Sequence, residues 1–375
     1  MSNQLVIRTD IFKDVCSKIL TAVDGTELSI VTETLELQTV ENMLIMSVTN
    51  REYFAEVKLE MADTYEFHAT VNASLFLKLV SQITTEEIQL NVVDNTLVVK
   101  GNGTYKLPLI FDGEELLSLP RIVIDNETSS FSIKADILNS ILTYNSKELS
   151  KGVISKPIQK LYYVDELGAI TFTSGACVNS FSLPQPIKVL FNNRLVKLFK
   201  LFKDGEVAFT LGFDAISEEI VQTKVRFESD SVTVTAILSC DDSLLQSVPV
   251  GGIRGRANAE YPYTVNVNRD AMIQTINRLT LFNSGKSTFS KPYGKFEFDK
   301  NSVTIYDYNK ENSEVVVYSS GEVASPYSAM LNLNDLKTTL ETCVESHLCL
   351  SFGDSSAVVI SRGNIKNVVP EVKLV

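Results

Sequence analysis

A cation occurs at every third position of the segment NNRLVKLFKLFK, residues 192–203. Its basic residues are Arg194, Lys197, Lys200 and Lys203, and apolar residues fill most positions between them. On a helix of about 100° per residue, the four cations cover a broad face and the apolar residues cover the opposite one. Three kinds of surface have this pattern: a solvated helix face, a helix that lies on a membrane, and a contact for a polyanion. The segment alone does not separate these alternatives.

Residues that could catalyse a reaction are sparse. His68 and His347 are the only histidines. Cys343, His347 and Cys349 could be imagined as metal ligands, but no paired ligand motif accompanies them, as it does in structural zinc sites. The glycine-containing stretch 100–105 lacks the phosphate-loop pattern. We therefore predict no enzyme activity, no metal and no cofactor.

Charge and cysteine content restrict the class of protein. The 375 residues carry a formal net charge of -12, and a large negative field repels phosphate at long range. This excludes nucleic-acid binding over the whole surface but permits cations gathered on one inner surface. The five cysteines have no CxxC spacing, which indicates a reducing compartment. No apolar run approaches the roughly 18 residues of a membrane span, so we predict a cytoplasmic protein that is not bound to a membrane.

Most of the chain alternates apolar and polar residues in short runs typical of strands. The clearest runs are residues 28–40, 44–50, 53–61, 87–101, 169–175, 225–238, 296–308, 313–321 and 357–364. Asp, Asn and Ser supply turn conformations between paired runs, as in QLNVV-DN-TLVVK. The predicted fold class is α+β, dominated by antiparallel sheets with few helices.

Six strand-to-helix junctions recur along the chain. Three contain an Asp positioned to open a helix, namely Asp10, Asp136 and Asp270, spaced by 126 and 134 residues. Between them lie three junctions that end in Asn, namely Asn72, Asn192 and Asn332, spaced by 120 and 140 residues. The two kinds alternate, which predicts three tandem copies of one β-rich domain, each with two helices.

The predicted domain boundaries follow from these repeats. We place the domains at residues 1–122, 127–248 and 260–375, joined through the stretches 115–130 and 246–262. The second stretch contains three Gly and two Pro, which predicts an irregular connector. Its Arg254 and Arg256 are candidates for a polyanion contact or for a solvated connector.

Two local motifs resemble the bacterial DNA polymerase III β subunit, the sliding clamp. The segment 170–184, ITFTSGACVNSFSLP, is similar to the second-domain motif T-D-G-H-R-L of that family, including the later Pro184. The C-terminus NVVPEVKLV is similar to the family's terminal V-V-M-P-M-R-L, through Val372, Lys373 and Leu374. The family also has three tandem domains with two helices each, so the resemblance covers the whole chain.

Several positions depart from the family motifs. Ser174, Ala176 and Cys177 replace the Asp, His and Arg of the second-domain motif, and Glu371 replaces a proline near the end. These changes indicate a divergent clamp, such as one carried by a phage or a mobile element.

The resemblance implies a head-to-tail homodimer that closes into a ring with helices lining the channel. Pairing of strand edges between neighbours would protect those edges. By family position the subunit contact falls on Tyr105, Leu107, Leu281 and Phe282, for which ordinary core burial is the alternative.

The same resemblance implies a DNA-binding channel lined by cations of the predicted helices. These candidates would contact phosphates without reading sequence, as sliding requires. They are Lys13, Lys18, Lys78, Lys147, Lys151, Arg194, Lys197, Lys200, Lys203, Arg278 and Lys337. A solvated surface position is the alternative for each one. The segment 192–203 opens at the fourth of the six junctions, so its position favours the channel over a membrane surface.

A groove for short partner peptides is implied between the second and third copies. It would be apolar and suit aliphatic or aromatic anchors. The residues that match are Ile158, Thr173, Gly175, Val178, Val248, Val372, Lys373 and Leu374. Core packing is the alternative for Ile158 and Val178.

The resemblance therefore predicts a DNA polymerase processivity factor. Its expected partners are duplex DNA, bound without sequence preference, a second copy of the chain, and a replicative polymerase and a clamp loader that bind through short peptides. The rival hypotheses are a β-rich structural or assembly protein, for instance of a virion, and a membrane-surface protein that acts through residues 192–203.

Overall fold

The computed structural model describes residues 4–25, 29–62, 65–151, 156–215, 221–238, 242–283 and 292–372. The chain divides into two compact units. The first unit is Met1–Asn139 with Arg194–Ser239, and the second is Ser140–Asn193 with Cys240–Val375.

The strands of the described residues are short. They are β1 (Leu5–Arg8), β2 (Thr34–Val40), β3 (Met43–Thr49), β4 (Tyr53–Glu60), β5 (His68–Asn72), β6 (Glu87–Val93), β7 (Thr96–Lys100), β8 (Thr104–Pro108), β9 (Phe111–Asp112), β10 (Glu115–Leu116), β11 (Asn126–Lys134), β12 (Tyr162–Asp165), β13 (Gly168–Phe172), β14 (Ala176–Ser180), β15 (Lys188–Phe191), β16 (Glu206–Ala215), β17 (Val221–Glu228), β18 (Val232–Leu238), β19 (Tyr263–Asn268), β20 (Tyr293–Phe298), β21 (Ser302–Tyr306), β22 (Ser313–Ser320), β23 (Tyr327–Asn332), β24 (His347–Phe352), β25 (Ala357–Arg362) and β26 (Ile365–Pro370).

The helices of the described residues are fewer. They are α1 (Thr9–Leu20), α2 (Ala73–Gln82), α3 (Ala135–Ser140), α4 (Ser146–Leu149), α5 (Asn193–Leu198), α6 (Asp242–Ser247), α7 (Val250–Ala257), α8 (Arg269–Asn283) and α9 (Leu333–Glu341). A π-helical turn, Ile141–Asn145, lies between α3 and α4, and 3-10 turns occupy Pro157–Lys160 and Phe199–Leu201.

Antiparallel sheets form the body of each unit. The first unit contains a four-stranded sheet, β1-β6-β7-β8, an eight-stranded sheet, β11-β16-β17-β18-β4-β3-β2-β5, and the β9-β10 pair. The second contains one twelve-stranded sheet, β15-β12-β13-β14-β26-β25-β24-β19-β22-β21-β20-β23. The predicted α+β class with large antiparallel sheets is confirmed.

One pairing in each unit joins parts of the chain assigned to different repeats. In the first unit β18 pairs with β4, with Val234 opposite Ala55. In the second unit β14 pairs with β26, with Ala176 opposite Val368. Each sheet therefore continues from one predicted repeat into the next. The division into domains at 1–122, 127–248 and 260–375 stays a prediction, because the compact units divide the chain elsewhere.

The six predicted junctions all lead from a strand into a helix. The pairs are β1–α1, β5–α2, β11–α3, β15–α5, β19–α8 and β23–α9. Asn72 caps α2 by accepting from the Leu75 amide at 2.9 Å, and Asn332 caps α9. The Asp residues lie in the first helical turn, where a negative charge favours the positive end of the helix dipole. At α8 the capping acceptor is Asn268, which bonds the Ala271 amide at 2.9 Å.

Two segments differ from their sequence predictions. Residues 192–203 do not form one regular helix, because α5 ends at Leu198 and continues as the 3-10 turn Phe199–Leu201. Phe199 and Phe202 both pack on Phe227 in the core of the first unit, and the tighter turn accompanies the burial of Phe199, Leu201 and Phe202.

The stretch 246–262 is likewise not an irregular connector. It contains the end of α6 and all of α7, despite its glycines. Val248 and Ala257 anchor this part of the chain in an apolar cluster. Arg254 forms a bidentate ion pair with the buried Asp165 at 2.6 and 2.7 Å. Packing and this ion pair outweigh the low helix propensity of glycine, and Arg254 is neither a solvated connector nor available to a polyanion.

Candidate functional site

In the first unit, the candidate DNA-contacting cations lie on α1, on α2 and in the segment around α5. Lys78, Lys197 and Lys200 are exposed, and Lys13 is half-buried. The two helices α1 and α2 pack through Phe12 and Phe76, whose ring centroids are 6.1 Å apart. The apolar faces of these helices are thus committed to the core, and the lysines lie on the remaining surface.

The Asp14 carboxylate on α1 forms ion pairs with two of the candidate lysines. It is 2.9 Å from the Lys18 ammonium and 3.5 Å from that of Lys203. The hydrogen bond from Lys18 is the main reason that the pKa of Asp14 is lowered. Asp14 therefore partly neutralises both lysines. The surface cavity that these two lysines line is also lined by three acidic residues, Asp204, Glu206 and Asp230.

Arg194 has a different environment from its neighbours in the same segment. Its Nε lies 3.4 Å from Asp24, and its Nη1 bonds Glu52 at 2.9 Å. The guanidinium therefore ties the start of α5 to the loops around Asp24 and Glu52 within the first unit. Among the four cations of residues 192–203, Lys197, Lys200 and Lys203 have the more exposed positions.

In the second unit, the candidate DNA-contacting cations Lys147, Arg278 and Lys337 lie on α4, α8 and α9. Lys147 is exposed, and Lys337 pairs with Glu341 at 3.7 Å. Arg278 forms a bidentate ion pair with Glu314 of β22, with both N–O distances at 2.6 Å. Since α8 and α4 both contact α9, these three elements form one group of helices.

Lys151 does not fit the surface position predicted for it. Its side chain is only 3% exposed. The ammonium lies 2.6 Å from Glu148 Oε2 and 2.5 Å from Thr339 Oγ1. A buried ammonium with both partners inside the protein does not reach a phosphate, so we remove Lys151 from the set of candidate DNA contacts.

A cavity of about 300 Å³ lies in the second unit beside the β14–β26 pairing. Its walls are mostly apolar and come from the β13–β14 turn, from α7 and from the end of β26. The lining residues are Phe172, Thr173, Ser174, Gly175, Ala176, Pro249, Gly252, Ile253, Arg256, Val368 and Pro370. We refer to it as the partner pocket.

Two of the predicted groove residues, Thr173 and Gly175, line the partner pocket. Gly175 is required there, because an added Cβ would lie 2.5 Å from the Val368 carbonyl oxygen. Ile158, Val178 and Val248 are buried in the apolar cluster of this region and are not among the lining residues.

The C-terminal prediction is only partly covered by the structure. The half-buried Val372 donates its amide to Met330 O at 2.9 Å, whereas Lys373 and Leu374 lie outside the described residues. The chain end contributes Val368 and Pro370 to the pocket instead.

Sequence reasoning missed the wall formed by α7. Ile253 and Arg256 are three residues apart and lie on one helical face, with Pro249 just before the helix. Their spacing was the available signal, but the surrounding glycines suggested a connector. The same reasoning missed the half-buried Phe172 at the end of β13.

Several strand edges are open in the described part of the chain, and two of them, on β8 and β22, carry or adjoin predicted subunit-contact residues. β8 is the edge of the four-stranded sheet, and only the end of β22, at Tyr318 and Ser320, pairs with β19. On β22 the side chains of Val315 and Val317 are 61% and 67% exposed. Such apolar edges favour pairing with another chain.

Some of the predicted subunit-contact residues are exposed near these edges, and one is buried. Tyr105 on β8 is exposed, whereas Leu107 is buried in its own sheet. Leu281 and Phe282 near the end of α8 are 71% and 55% exposed. The α8 helix and β22 are linked by the Arg278–Glu314 ion pair, so Leu281 and Phe282 belong to the same region of the second unit as the open edge of β22.

The candidate metal ligands and the buried thiols lie within the part of the chain that the structure describes. No cluster of metal-binding side chains occurs among the described residues. Burial raises the pKa of the Cys177 thiol to about 12 and also raises the pKa of Cys16 and Cys343, so these thiols remain protonated at neutral pH. Within the described ranges, no helix is both long enough and apolar enough to cross a bilayer.

Solved structures identify the architecture that carries these features. The DNA polymerase III beta chain from Streptococcus pneumoniae superposes with a TM-score of 0.77 at 14% identity, covering 99% of this chain and 100% of that one. The fold is that of a sliding clamp. A sliding clamp from Pseudomonas aeruginosa bound to griselimycin gives a TM-score of 0.78 at 14% identity, with full coverage of both chains.

A third sliding clamp has a peptide bound. The Helicobacter pylori beta clamp in complex with a DNA ligase peptide gives a TM-score of 0.71 at 15% identity, covering 99% of this chain and 100% of that one. No protein-family model and no curated protein matches this sequence. The sliding-clamp fold expected from the resemblance is confirmed over the full length of the chain. At 14–15% identity, these matches show the fold and do not assign roles to individual residues.

Proposed function

We propose that this protein is a DNA polymerase processivity factor. Two copies form a ring that encircles duplex DNA, slides on it, and tethers the polymerase through the partner pocket. The observation that carries the proposal is the sliding-clamp fold over the entire chain, with coverage of 99–100% of both chains. The protein acts in the cytoplasm, performs no covalent chemistry itself, and is loaded by a separate ATP-driven loader.

The open strand edges support the homodimer. β8 of one copy pairs with the free part of β22 of the other, and each copy provides both edges. The exposed Leu281, Phe282, Val315 and Val317 are covered by this contact, with Tyr105 on the opposing edge. Leu107 contributes by holding β8 in its own sheet.

The cations on the helices support the DNA-binding channel. Lys13, Lys78, Lys147, Lys197 and Lys200 have the clearest access to phosphate. Lys18, Lys203, Arg278 and Lys337 are paired with carboxylates and contribute a weaker, screened attraction. Arg194 mainly stabilises the first unit through its ion pairs with Asp24 and Glu52. The contacts are few and sequence-independent, which permits sliding.

The apolar partner pocket supports peptide tethering. Its volume suits one or two aliphatic or aromatic side chains, and Arg256 at its wall suits an acidic group of the peptide. Ile158, Val178 and Val248 support the walls from the adjoining core, and Val372 follows the pocket residue Pro370 closely along the chain. The groove role of Val372, Lys373 and Leu374 stays a prediction from the resemblance.

A topological test addresses the proposal directly. Light scattering should give about twice the chain mass of 41.6 kDa. After loading with a clamp loader and ATP, the protein should stay on a nicked circle and leave when the circle is cut once. Blocking both new ends with bulky protein should restore retention. A monomeric mass, or retention on linear DNA with open ends, would refute the ring mechanism.

A further inference from the structure

A buried polar network lies beneath the turn that forms one wall of the partner pocket. Glu148 of α4 is fully buried, and its Oε2 accepts from the Lys151 ammonium at 2.6 Å. Its Oε1 accepts from the Thr173 hydroxyl at 3.0 Å. One carboxylate therefore neutralises a buried cation and holds a pocket residue at the same time.

The network continues into α9. The Lys151 ammonium also donates to Thr339 Oγ1 at 2.5 Å, and Thr339 donates to the Asp335 carbonyl at 3.0 Å. Asp335 in turn accepts from the Ser174 hydroxyl through its carboxylate at 2.7 Å. Two consecutive residues of the pocket wall, Thr173 and Ser174, are thus held from two different helices.

The same wall has little freedom in its backbone. The Thr173 amide donates to Gly175 O at 3.0 Å, and Gln159 donates to Thr173 O at 3.1 Å. A Cβ on Gly175 would lie 3.5 Å from Glu148 Oε1, so the carboxylate sits directly under the turn. Below the pocket, the Thr173 hydroxyl is within hydrogen-bond distance of Glu148 Oε1 at 3.0 Å and of the Glu148 carbonyl oxygen at 3.2 Å, and its methyl group remains the apolar part of the residue.

A buried ion pair is an inefficient way to stabilise a fold. Desolvation of both charges offsets much of their attraction, and apolar replacements of similar volume are often neutral or stabilising. A geometric role explains the Glu148–Lys151 pair better, because charge-assisted hydrogen bonds fix a side chain more strictly than apolar packing does.

We propose that the Glu148–Lys151 pair positions the wall of the partner pocket through Thr173, so that peptide affinity depends on a charge network that does not touch the peptide. This inference rests on the proposed function, since it assigns the pocket to peptide binding. Glu148 and Lys151 are positioning residues, and Lys151 serves the pocket rather than the DNA.

The test compares three substitutions at and below the wall, with fluorescence anisotropy of a panel of labelled octapeptides that carry two aliphatic or aromatic anchors. Thr173→Val keeps the shape and makes the pocket more apolar, yet it removes the hydroxyl, so we expect affinity to fall at least about fivefold. Thr173→Ser keeps the hydroxyl and should retain most of the affinity. The double variant E148Q/K151M removes the ion pair without stranding a charge and should also weaken binding.

Three further measurements separate positioning from general stability. Hydrogen exchange of residues 173–176 should accelerate in Thr173→Val and in E148Q/K151M, while the dimer persists and both variants remain folded at the assay temperature, although the unpaired Glu148 oxygen lowers the melting temperature of Thr173→Val. Lys160→Met is a matched control at an exposed lysine. It should leave peptide affinity and the hydrogen exchange of residues 173–176 unchanged. The salt dependence of DNA binding should be unaltered in E148Q/K151M, whereas loss of a phosphate contact would lower the slope by about one.

The outcomes distinguish this inference from the function on which it rests. If the unmodified protein binds no member of the panel, the peptide pocket itself is refuted, together with this inference. If it binds and either Thr173→Val or E148Q/K151M binds equally well or more tightly, the positioning role of Glu148 and Lys151 is wrong while the proposed function stands.

Discussion

Helices α2 and α9 both begin at strand-to-helix junctions that contain an Asn, but they differ in what they bury. Each follows a strand directly and is capped by an Asn, Asn72 or Asn332. The buried side chains of α2 are all apolar, whereas α9 buries Asp335 and Thr339 among its leucines. The buried face of α2 contributes only to the core of its own unit. The polar residues of α9 also hold Ser174 and Lys151 next to the partner pocket. The buried face of the helix is thus purely structural in α2, whereas in α9 it also supports the partner pocket.

The largest effect should come from the apolar face of α2. Phe76→Ala removes a fully buried ring that packs against Phe12 and should lower the free energy of unfolding by about 3–5 kcal/mol. Chemical denaturation measures this loss. Leu75→Ala, on the exposed face of the same helix, is the control and should change stability by less than about 0.5 kcal/mol. Equal losses for both would show that α2 does not pack as described.

A smaller effect should follow from the polar residue that distinguishes α9. Thr339→Val keeps the volume but removes one partner of the buried Lys151 ammonium, which should cost about 1–3 kcal/mol of stability and weaken peptide binding several-fold. Thr280→Val is the control, because the Thr280 hydroxyl bonds only to carbonyls of its own helix. If Thr339→Val and the control behave alike, the contrast between α2 and α9 disappears.

The two caps should differ slightly from one another. The Asn332 side chain accepts from the amides of Asn334 and Asp335, whereas Asn72 accepts from that of Leu75 alone. Substitution of either by Ala should cost about 1 kcal/mol, with the greater loss at Asn332. Thermal unfolding of the two variants side by side checks the order. A greater loss at Asn72 would contradict it.

The smallest effect concerns the lysines on the two helices. Lys78 of α2 is exposed, and Lys337 of α9 pairs with Glu341 at 3.7 Å. We expect Lys78→Ala to weaken DNA binding about two- to threefold and to lower the salt slope by about one. Lys337→Ala should have less effect, because Glu341 already screens that charge. Binding titrations at several salt concentrations compare them, and identical slopes would remove this distinction.

Several features of the fold were predictable because they depend on short stretches of chain. Alternating runs favour half-buried strands through their local period of two, and this predicted hairpins such as β6–β7 correctly. The six strand-to-helix junctions were visible because a turn between a strand and a helix requires a local acceptor for free amides, which Asn72 and Asn332 supply. The spacing of these junctions predicted three repeats, and the resemblance, including the motif at 170–184, pointed to the sliding-clamp fold.

Other features could not be predicted because they depend on residues far apart in sequence. The sequence predicts the same surface position for Lys147 and Lys151. In the structure, however, the Lys151 ammonium is bound by Glu148 and Thr339. The glycine-containing α7 exists because Asp165, almost ninety residues before its partner Arg254, holds it in place. The sequence by itself determined the strands, the hairpins and the strand-to-helix junctions, since these follow from local periodicity and capping. Only the tertiary structure decided which cations are buried, which wall the pocket has and which strand edges remain open, because desolvation and pairing depend on neighbours that the chain brings together in folding.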